Sequence, residues 1–459
     1  MNRRQFLGSA TAATLGAAPS RPPNIVVLYS DDQRFNTIGA LGNKDIRTPN
    51  IDRLVGSGMA FERAHIMGGT GGAVCIASRA MLLTGQTLFR ATRNMDSTPP
   101  PAVTLMGEHF RNAGFSTYGI GKWHNAKARF NQCFENGSAI FFGGMADHLK
   151  TPIQDYDRTG QYGKERERMG DRFSSELFAD EAIQFLKTAN RAKPFFLYTA
   201  FTAPHDPRMA PESYRKLYSA DQLKLPPNFL QQHPFDNGEL QVRDELLAGF
   251  PRQQPEVTRH LADYYAMITH LDFHIGRILD TLRATKLEQD TIVVFAGDNG
   301  LALGQHGLMG KQSLYDHSVR VPLMLSGPGI PRNRRQTGLC YNLDIFPTLC
   351  ELTGTKVSAG VEGQTLLRGW RDSVFFSYRH FQRGVRTDDW KLIQYMVNGQ
   401  LTTQLFRMKQ DPWEMRNLAG EPQSAGKVAE LRALLKEWMK KTGDALDLDK
   451  PNWGYVPAA

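Results

Sequence analysis

The sequence predicts an α/β fold in which a large, mainly parallel sheet is joined to a smaller C-terminal subdomain. Three continuous apolar runs, at 24–29, 194–198 and 291–296, have the composition of buried parallel strands. Segments with helical periodicity alternate with these runs, which is typical of a parallel sheet covered by helices. After about residue 350 the apolar runs become shorter and lead into one amphipathic helix. This change indicates a second subdomain with a short antiparallel sheet and a helix.

Two helices are predicted between the first and second strands. One begins at Pro49, because proline suits the first helical position, with Thr48 as its N-cap and Gly58 as its end. The other covers 75–83 and ends at Gly85.

The second half of the chain supplies the remaining elements. A long helix at 260–282 precedes the third apolar strand. Shorter strands at 374–378 and 390–395 predict the antiparallel sheet, and a helix at 425–441 follows, with Ser424 as its N-cap.

Two long segments interrupt this pattern. Residues 125–172 are rich in Gly, Asp, Asn and aromatics, and 203–257 are rich in Pro, Gln and Asn. Their poor periodicity predicts long insertions, which are often functional in compact domains. The predicted organisation is an export signal at 1–20, a main domain at 21–355 and a C-terminal subdomain at 356–459.

The N-terminal segment has the composition of an export signal. Arg3 and Arg4 precede Phe-Leu, and 6–18 is a weakly apolar stretch of small residues with an Ala-rich end. The adjacent arginines resemble a twin-arginine signal, which implies a periplasmic or extracellular protein. No apolar run approaches the ~20 residues that span a bilayer.

The composition excludes several classes of protein. The 459 residues include 26 Phe, 14 Tyr and 6 Trp, too many for a disordered chain. Four Cys are too few for a disulfide scaffold, although Cys340 and Cys350 could pair or stay as buried thiols. The formal charge of +9 is mild and the basic residues are scattered, so we expect no nucleic-acid partner.

Acidic residues follow two of the predicted strands. Asp31 and Asp32 come after the first, and Asp298 and Asn299 after the third. Strand ends of an open α/β sheet form ligand sites, so these side chains can meet. Two carboxylates about 4 Å apart repel by about 4 kcal/mol at an effective dielectric near 20, so either protons or a cation must neutralise them. Carboxylate and amide oxygens favour Ca²⁺ or Mg²⁺.

Cys75 lies at the start of a predicted helix, with Arg79 one turn later on the same face. A helix N-terminus favours anions, so the site could lower a thiol pKa or hold an oxyanion. The alternative is a buried cysteine that packs as a small hydrophobe.

The eleven residues that begin at Cys75 read CIASRAMLLTG. This string resembles the signature of type I sulfatases, of the alkaline-phosphatase-like superfamily, in which the cysteine is converted to formylglycine. Ala77 stands where the commonest form of the signature has proline, which leaves open which maturation enzyme acts. The resemblance runs from residue 24 to about 395 and implies an α/β/α sandwich. Its further matches are Asp31-Asp32, 48–52, 121–124, Pro204-His205, 297–300 and Gly310-Lys311.

The resemblance implies a role for each polar residue of these motifs. The implied catalytic residues are Cys75, Arg79, Lys122, His124, His205 and Lys311. The implied ligands of Ca²⁺, or of Mg²⁺, are Asp31, Asp32, Asp298, Asn299 and the modified residue 75. Arg79 and Lys122 would hold the formylglycine hydrate, and His124 would be the base that breaks the covalent intermediate. His205 and Lys311 would bind sulfate and assist the leaving oxygen.

These residues predict a hydrolase that releases sulfate from an organic ester, most simply a sulfated carbohydrate, because the long segments favour a bulky substrate. An aryl or choline sulfatase has the same core. The main alternative is a phosphoester or phosphonate monoester hydrolase of the same superfamily, and an inactive anion-binding protein is a third. The candidate substrate contacts outside the core are Arg90, Asp147, His148, His306, Arg379 and His380.

Overall fold

The computed structural model describes residues 21–96 and 103–456. The predicted export signal at 1–20 lies outside the described residues. In the two described stretches, no helix combines the length and the apolar character that crossing a bilayer requires.

The described residues form one large sheet, one medium sheet and two minor ones. In chain order the strands are β1 (Asn24–Ser30), β2 (Gly58–Phe61), β3 (Ala64–His65), β4 (Gly68–Gly69), β5 (Ser116–Lys122), β6 (Asn136–Phe141), β7 (Pro152–Ile153), β8 (Arg168–Met169), β9 (Phe195–Ala200), β10 (Thr291–Gly297), β11 (Arg320–Val321), β12 (Leu323–Ser326), β13 (Arg334–Gln336), β14 (Cys340–Tyr341), β15 (Ser373–Tyr378), β16 (Gln382–Thr387), β17 (Trp390–Val397) and β18 (Gln400–Arg407).

Helices cover both faces of the large sheet. In chain order they are α1 (Pro49–Ser57), α2 (Val74–Thr84), α3 (Leu88–Asp96), α4 (Met106–Asn112), α5 (Ala128–Cys133), α6 (Ser174–Thr188), α7 (Glu212–Arg215), α8 (Gln254–Ala284), α9 (Asp316–Val319), α10 (Ile345–Thr353) and α11 (Ala425–Thr442). The helix predicted at 260–282 is thus longer, because its regular periodicity begins at Gln254.

The large sheet has the strand order β13-β2-β12-β10-β1-β9-β5-β6. Only β12 runs against its neighbours, so the sheet is mainly parallel, as predicted. Side chains of the central β1 alternate between two buried layers. Val26 and Leu28 pack with residues of α1, α6 and α8, whereas Val27 and Tyr29 pack with residues of α2 and α10. The protein is therefore an α/β/α sandwich.

The prediction that 125–172 is wholly an insertion is wrong. Its first part forms α5 and the edge strand β6, which pairs in parallel with β5. The strand begins with polar Asn136 and Gly137, so its apolar signal is too short to be recognised from the sequence. After β6 the segment is mostly irregular, with the small β7–β8 hairpin-like pair.

Thr48 and Ser424 occupy the N-cap positions predicted for them, but neither side chain caps its helix. At α1 the free amides are satisfied from elsewhere: Asn50 and Ile51 donate to the carboxylate of Asp272 on α8 at 3.1 and 2.7 Å. Thr48 Oγ1 instead donates to Asp52 at 3.0 Å. The side chain of Asp272, from a distant part of the chain, therefore caps α1 in place of the Thr48 side chain.

The second sheet joins the C-terminal subdomain to the main body. Its order is β18-β17-β16-β15-β4, and β15 to β18 are antiparallel, as predicted. The fifth strand, β4, comes from the segment just before α2, and its Gly68 and Gly69 pair with Ser377 and Tyr378. The C-terminal sheet therefore holds the chain that leads to Cys75.

Candidate active site

The polar residues predicted to be functional converge at the carboxyl end of the large sheet. Ser30 at the end of β1 pairs with Gly297 at the end of β10, so Asp31 and Asp298 follow neighbouring strands. The backbone amide of Asp32 donates to Asp298 Oδ1 at 2.9 Å. Parallel register thus brings together carboxylates 266 residues apart.

Asp31 and Asp298 form a coupled pair beside two cations. Lys122 Nζ donates to Asp31 Oδ2, and Arg79 Nη2 donates to Asp298 Oδ2 at 3.0 Å. Burial and the charge of Asp298 raise the pKa of Asp31 well above its usual range, although Lys122 opposes this. Burial also acts against ionised Asp298, but Arg79 and Lys122 hold its pKa below the usual range. Asp298 is therefore ionised, whereas the ionisation of Asp31 depends on a nearby cation.

Asp32 is the third carboxylate of the site, and its side chain contacts groups from three other segments. Lys311 Nζ donates to Asp32 Oδ1 and Oδ2 at 2.7 and 2.9 Å. Asn299 Nδ2 donates to Oδ1 at 2.6 Å, and His205 Nε2 lies 3.5 Å from Oδ2. The Asp32 backbone is left-handed, with a φ of 60°, and the Tyr264 hydroxyl donates to its carbonyl at 2.7 Å.

The acidic atoms lie close enough together to share one metal ion. One ligand atom from each of Asp31, Asp32, Cys75 and Asp298 lies within 4.8 Å of the other three. Asp31 Oδ1 and Asn299 Oδ1 are buried and have no hydrogen-bond donor among the described residues. Buried oxygens without donors are costly, and such oxygens are the ligands that Ca²⁺ and Mg²⁺ prefer. The residues present therefore fit a hard divalent cation.

Cys75 is the second residue of α2, and its thiol borders this cluster. Lys311 Nζ donates to Cys75 Sγ at 3.1 Å, and Sγ lies 3.8 Å from Asp32 Oδ1. The expectation that the helix N-terminus lowers the thiol pKa is wrong. Burial raises the pKa of Cys75 well above its usual range, although Lys311 and Lys122 oppose this. The unmodified thiol is therefore neutral and a weak nucleophile.

His124 follows β5, two residues after Lys122. A Cβ on Gly144 would lie 2.5 Å from His124 Nε2, so the loop at 144 approaches the ring as closely as only glycine allows. Burial, followed by the charges of Lys122 and Arg79, lowers the pKa of His124 to about 2. The imidazole is therefore neutral.

His205 is held in one tautomer by its neighbour. Its Nδ1 lies 2.8 Å from the Asp206 carbonyl oxygen, which only accepts, so Nδ1 carries the hydrogen. Burial and the charges of Lys311 and Lys122 lower the pKa of His205 well below its usual range. Arg243 holds Asp206 in turn, because Nη2 donates to Oδ1 at 3.0 Å and Nη1 donates to Oδ2. His205 Nε2 is left as an acceptor.

The sequence profile of the sulfatase family matches residues 23–355, a range that contains every residue of this site. The chain belongs to the sulfatase family. This sulfatase also matches, over residues 304–441, a profile described as the C-terminal part of N-sulphoglucosamine sulphohydrolase. The family, the fold class and the enzyme class predicted from the motif are confirmed, and the protein is a sulfuric-ester hydrolase.

Named relatives of this sulfatase cover nearly its whole length. An N-acetylglucosamine-6-O-sulfatase of Bacteroides thetaiotaomicron is 25% identical over 523 residues, which cover 95% of this chain and 90% of the relative. An ulvan-active sulfatase of Formosa agariphila is 28% identical over 458 residues, which cover 92% of this chain and 82% of the relative. A solved structure in complex with its substrate D-glucosamine-2-N,6-O-disulfate has a TM-score of 0.79 and 23% identity. It covers 95% of this chain and 100% of its own, and supports the fold.

Three of the predicted substrate contacts, His148, His306 and Arg90, make contacts within the fold of this sulfatase. His148 is buried, and its Nδ1 and Nε2 lie 2.7 Å from Ser174 Oγ and 2.9 Å from the His205 carbonyl, so it supports the His205 loop. His306 stacks on Tyr315, and Arg90 pairs with Glu362 near the C-terminal helix. These contacts are structural.

One candidate of the C-terminal subdomain, Arg379, lies beside the segment that leads to Cys75. Arg379 Nε pairs with Glu239 at 2.7 Å, and a Cβ on Gly72 would lie 3.0 Å from Arg379 Nη2. This arginine therefore borders the loop that precedes Cys75. His380 stacks on Tyr455, and Asp147 is exposed.

The residues that hold His205 carry no motif of their own in the sequence. Asp206 and Arg243 lie in the segment predicted as an insertion, and no periodic pattern marks them. The signal that was present is the run of Asp206, Pro207 and Arg208 directly after His205. Polar residues adjacent to a motif histidine are candidates for its support.

Proposed function

We propose that this sulfatase releases sulfate from a sulfated carbohydrate, with residue 75 as formylglycine and Ca²⁺ or Mg²⁺ in the acidic site. The observation that carries the proposal is the convergence of ligand atoms from Asp31, Asp32, Cys75 and Asp298 within 4.8 Å. A motif cysteine beside three buried carboxylates suits the chemistry that the signature implies. The relatives described as N-acetylglucosamine-6-O-sulfatase and ulvan-active sulfatase support a sugar as the leaving group.

In this proposal Asp31, Asp32, Asp298 and Asn299 hold the cation, with residue 75 as a further ligand. A bound divalent cation supplies positive charge that stabilises developing negative charge on sulfate oxygens. The chain suits such an ion because Asp31 Oδ1 and Asn299 Oδ1 are buried and receive no hydrogen bond from the described residues.

The modified residue 75 supplies, as an aldehyde hydrate, two geminal hydroxyls that cysteine and serine lack. Because Cys75 is only 1% exposed, we propose that its maturation enzyme acts before the chain folds. Lys311 Nζ, at 3.1 Å from Sγ of the unmodified side chain, lies beside the reacting position.

The remaining residues of the site bind the ester and move protons. Arg79, Lys122 and Lys311 are buried cations with fixed partners, so they neutralise a sulfate group from set positions. One hydroxyl of residue 75 attacks sulfur as the ester oxygen leaves, which forms the covalent intermediate. His124 then takes the proton of the second hydroxyl, the bond from the carbon of residue 75 to the sulfate oxygen breaks, and sulfate leaves as the aldehyde re-forms. His205 takes up the proton of the attacking hydroxyl at Nε2, which its tautomer leaves free, and passes it to the leaving oxygen.

We also propose that the protein is exported to the periplasm or beyond by the twin-arginine-like segment at 1–20, with domains at 21–355 and 356–459. The Arg3-Arg4 pair and the small-residue stretch that follows support this. N-terminal sequencing of protein from its native host should begin near residues 19–24. An intact Met1 on a cytoplasmic pool would contradict export.

The substrate proposal is tested by sulfate release from a panel. The panel contains defined sulfated mono- and oligosaccharides, choline sulfate, an aryl sulfate, and the matching aryl phosphate and phosphonate monoester. We expect the highest kcat/KM on a sulfated saccharide. Turnover of choline or aryl sulfate without any turnover of saccharides would discard the carbohydrate, and faster cleavage of the phosphorus esters would favour the alternative hydrolase.

A further inference from the structure

A second cavity, of about 590 Å³, lies outside the catalytic site. Its walls come from the segment after β1, from residues 224–227, from α8 and from the loop after β18. Among the described residues that line it, none belongs to the catalytic or acidic site. Its volume lies within the ~300–1,000 Å³ of pockets that hold small ligands, so the cavity is large enough to bind one.

The cavity is positively charged, and we call it the basic cleft. Arg34, Lys44, Lys224 and Arg320 line it, and Asp45 is the one carboxylate among its described lining residues. Lys44 and Lys224 are exposed, and neither forms an ion pair within the described parts of the chain. Their ammonium groups are therefore available to an anion that arrives from solvent.

The two arginines of the basic cleft are held by contacts within the protein. Arg34 is 3% exposed, and within the described chain its side chain makes one hydrogen bond, from Nε to Asn36 Oδ1 at 2.6 Å. It has no carboxylate partner there, so its charge adds to the positive potential of the cleft. The Arg320 guanidinium lies 3.9 Å from the ring centre of Phe35 and 3.6 Å from Asp316 Oδ2. Arg34 thus contributes unpaired charge, and Arg320 holds an aromatic ring of the wall in place.

Trp413 belongs to a part of the wall whose backbone is anchored on both sides. Its carbonyl accepts a hydrogen bond from Asn228 Nδ2 at 2.9 Å. The next residue, Glu414, has a left-handed backbone with a φ of 59°. The buried Glu414 carboxylate accepts from the Asp316 amide at 2.8 Å and pairs with Lys391. These contacts fix the loop that carries the indole ring.

The indole ring of Trp413 is not part of the hydrophobic core. Trp413 is partly buried and packs in neither of the two apolar cores that the described residues form. It makes no aromatic or cation–π contact with those residues. The negative face of an aromatic ring attracts the polarised C–H groups of a sugar ring. Because cations line the same cleft, a sugar that carries sulfate or carboxylate groups fits it best.

One turn of the chain joins the basic cleft to the catalytic site. Asp32 belongs to the acidic site, and Arg34, which lines the cleft, is two residues later and so at most ~7 Å along the chain. The Tyr264 hydroxyl donates to the Asp32 carbonyl at 2.7 Å and accepts from the Arg34 amide at 2.8 Å. A ligand held in the cleft is therefore kept close to the reacting groups.

We propose that the basic cleft is an auxiliary binding site for a sulfated saccharide chain, separate from the site that releases sulfate. Trp413 contacts a sugar ring, and Lys44 and Lys224 contact its sulfate or carboxylate groups. The inference rests on the proposed function, because it takes the substrate to be a sulfated carbohydrate. It deepens that proposal, since a second site selects long saccharide chains over single sugars.

Chemical footprinting locates the bound chain without any need for turnover. The probe is a size-fractionated dextran sulfate, and Cys75→Ala protein is used so that the probe is not cleaved. Acetic anhydride labels exposed lysines, and peptide mass spectrometry measures the rate at each one. We expect bound dextran sulfate to slow the labelling of Lys44 and Lys224 several-fold. Lys440, an exposed residue of α11, is the control and should be labelled as before, and neutral dextran should protect none of them.

Calorimetry in the same background measures the contribution of each wall. Trp413→Ala should weaken dextran sulfate binding by about 3- to 10-fold, the usual value of an aromatic contact, and Trp413→Phe should retain most of the affinity. Lys44→Gln combined with Lys224→Gln should weaken binding by about 3- to 10-fold, the value of two exposed ion pairs. The matched controls, Trp370→Ala and Lys440→Gln, remove exposed side chains outside the cleft and should bind as the parent does.

Poly-L-glutamate separates sugar recognition from charge alone, because it is a polyanion without sugar rings. Its affinity should not respond to Trp413→Ala, and an equal loss for both polymers would overturn the saccharide site. Unprotected Lys44 and Lys224, or equal protection of Lys440, would overturn the cleft itself. Failure of the proposed function is distinct: no saccharide would then release sulfate, while dextran sulfate binding that depends on Trp413 would still support the cleft.

Discussion

Lys311 Nζ lies 3.1 Å from Cys75 Sγ, although the two residues are 236 positions apart in the sequence. Both side chains are buried, one on the loop after β10 and the other in the first turn of α2. Burial acts against the charge of Lys311, but the carboxylate of Asp32 holds its pKa well above the usual range. The ammonium group of Lys311 is therefore protonated and lies beside residue 75, the side chain that is proposed to react.

Replacing Lys311 with methionine should lower kcat by about 10²- to 10³-fold, the usual effect of removing one electrostatic stabiliser from an active site. KM should change less, because Arg79 and Lys122 still contact the site. Steady-state sulfate release measures both constants. Lys216→Met, which removes an exposed lysine paired with Glu212, is the control, and an equal loss in the two variants would contradict the role of Lys311.

Removing the metal or its ligands should abolish turnover. Asp298→Asn should lose the bound cation and activity together, because Asp298 is the ionised carboxylate of the Asp31–Asp298 pair. Metal analysis by mass spectrometry should find about one Ca²⁺ or Mg²⁺ per wild-type chain. Asp280→Asn, on the exposed side of α8, is the matched control. Full activity of metal-free protein would refute the cation.

Gly144→Ala should lower turnover with little effect on stability. The new Cβ would lie 2.5 Å from His124 Nε2, so the ring of the proposed base must shift. A displacement of this size at a catalytic group can cost about 10²-fold in rate. Gly56→Ala is the comparison, since nothing lies within 4 Å of its Cβ in α1, and it should raise stability by about 0.5–1 kcal/mol. Unchanged kinetics in Gly144→Ala would contradict the placement of His124.

Lys391→Met should destabilise the fold by about 3–5 kcal/mol, because it leaves the buried Glu414 without its cation, although Asp316 keeps Arg386. Lys391 Nζ donates to Asp316 Oδ1 at 2.9 Å and lies 2.7 Å from Glu414, and all three side chains are buried. The contact between Lys391 and Asp316 joins β17 to the start of α9. Denaturant unfolding measures the change, and a loss below about 1 kcal/mol, the value of an exposed pair, would show that the cluster is not a stabilising contact.

The sequence predicted the core of the fold because the buried strands are continuous apolar runs. Strands β1, β9 and β10 have nearly every side chain buried, so their composition is unambiguous. Strand β6 was missed because it starts with Asn136 and Gly137 and lies at the sheet edge. The local cap at Thr48 was wrong because Asp272, more than 200 residues away, reaches the same amides. Tertiary contacts of this kind leave no local pattern.

Residues of the candidate site could be predicted from the sequence where they belong to a motif. The motif residues Asp31, Asp32, Asp298 and Lys311 converge as expected. The environment of Cys75 was not predictable, because the pKa of its thiol depends on how deeply α2 is buried rather than on the helix N-terminus. The residues that hold His205, namely Asp206 and Arg243, belong to irregular segments. Their partners are defined by the folded structure.

The central claim is that residue 75 acts as formylglycine, and peptide mass spectrometry of active enzyme tests it most directly. The peptide that contains residue 75 should carry the aldehyde in place of the thiol, in proportion to specific activity across preparations. Cys75→Ala, the matched variant, should fold with the same stability and release no sulfate. Full specific activity in a preparation whose residue 75 is entirely unmodified cysteine would contradict the account.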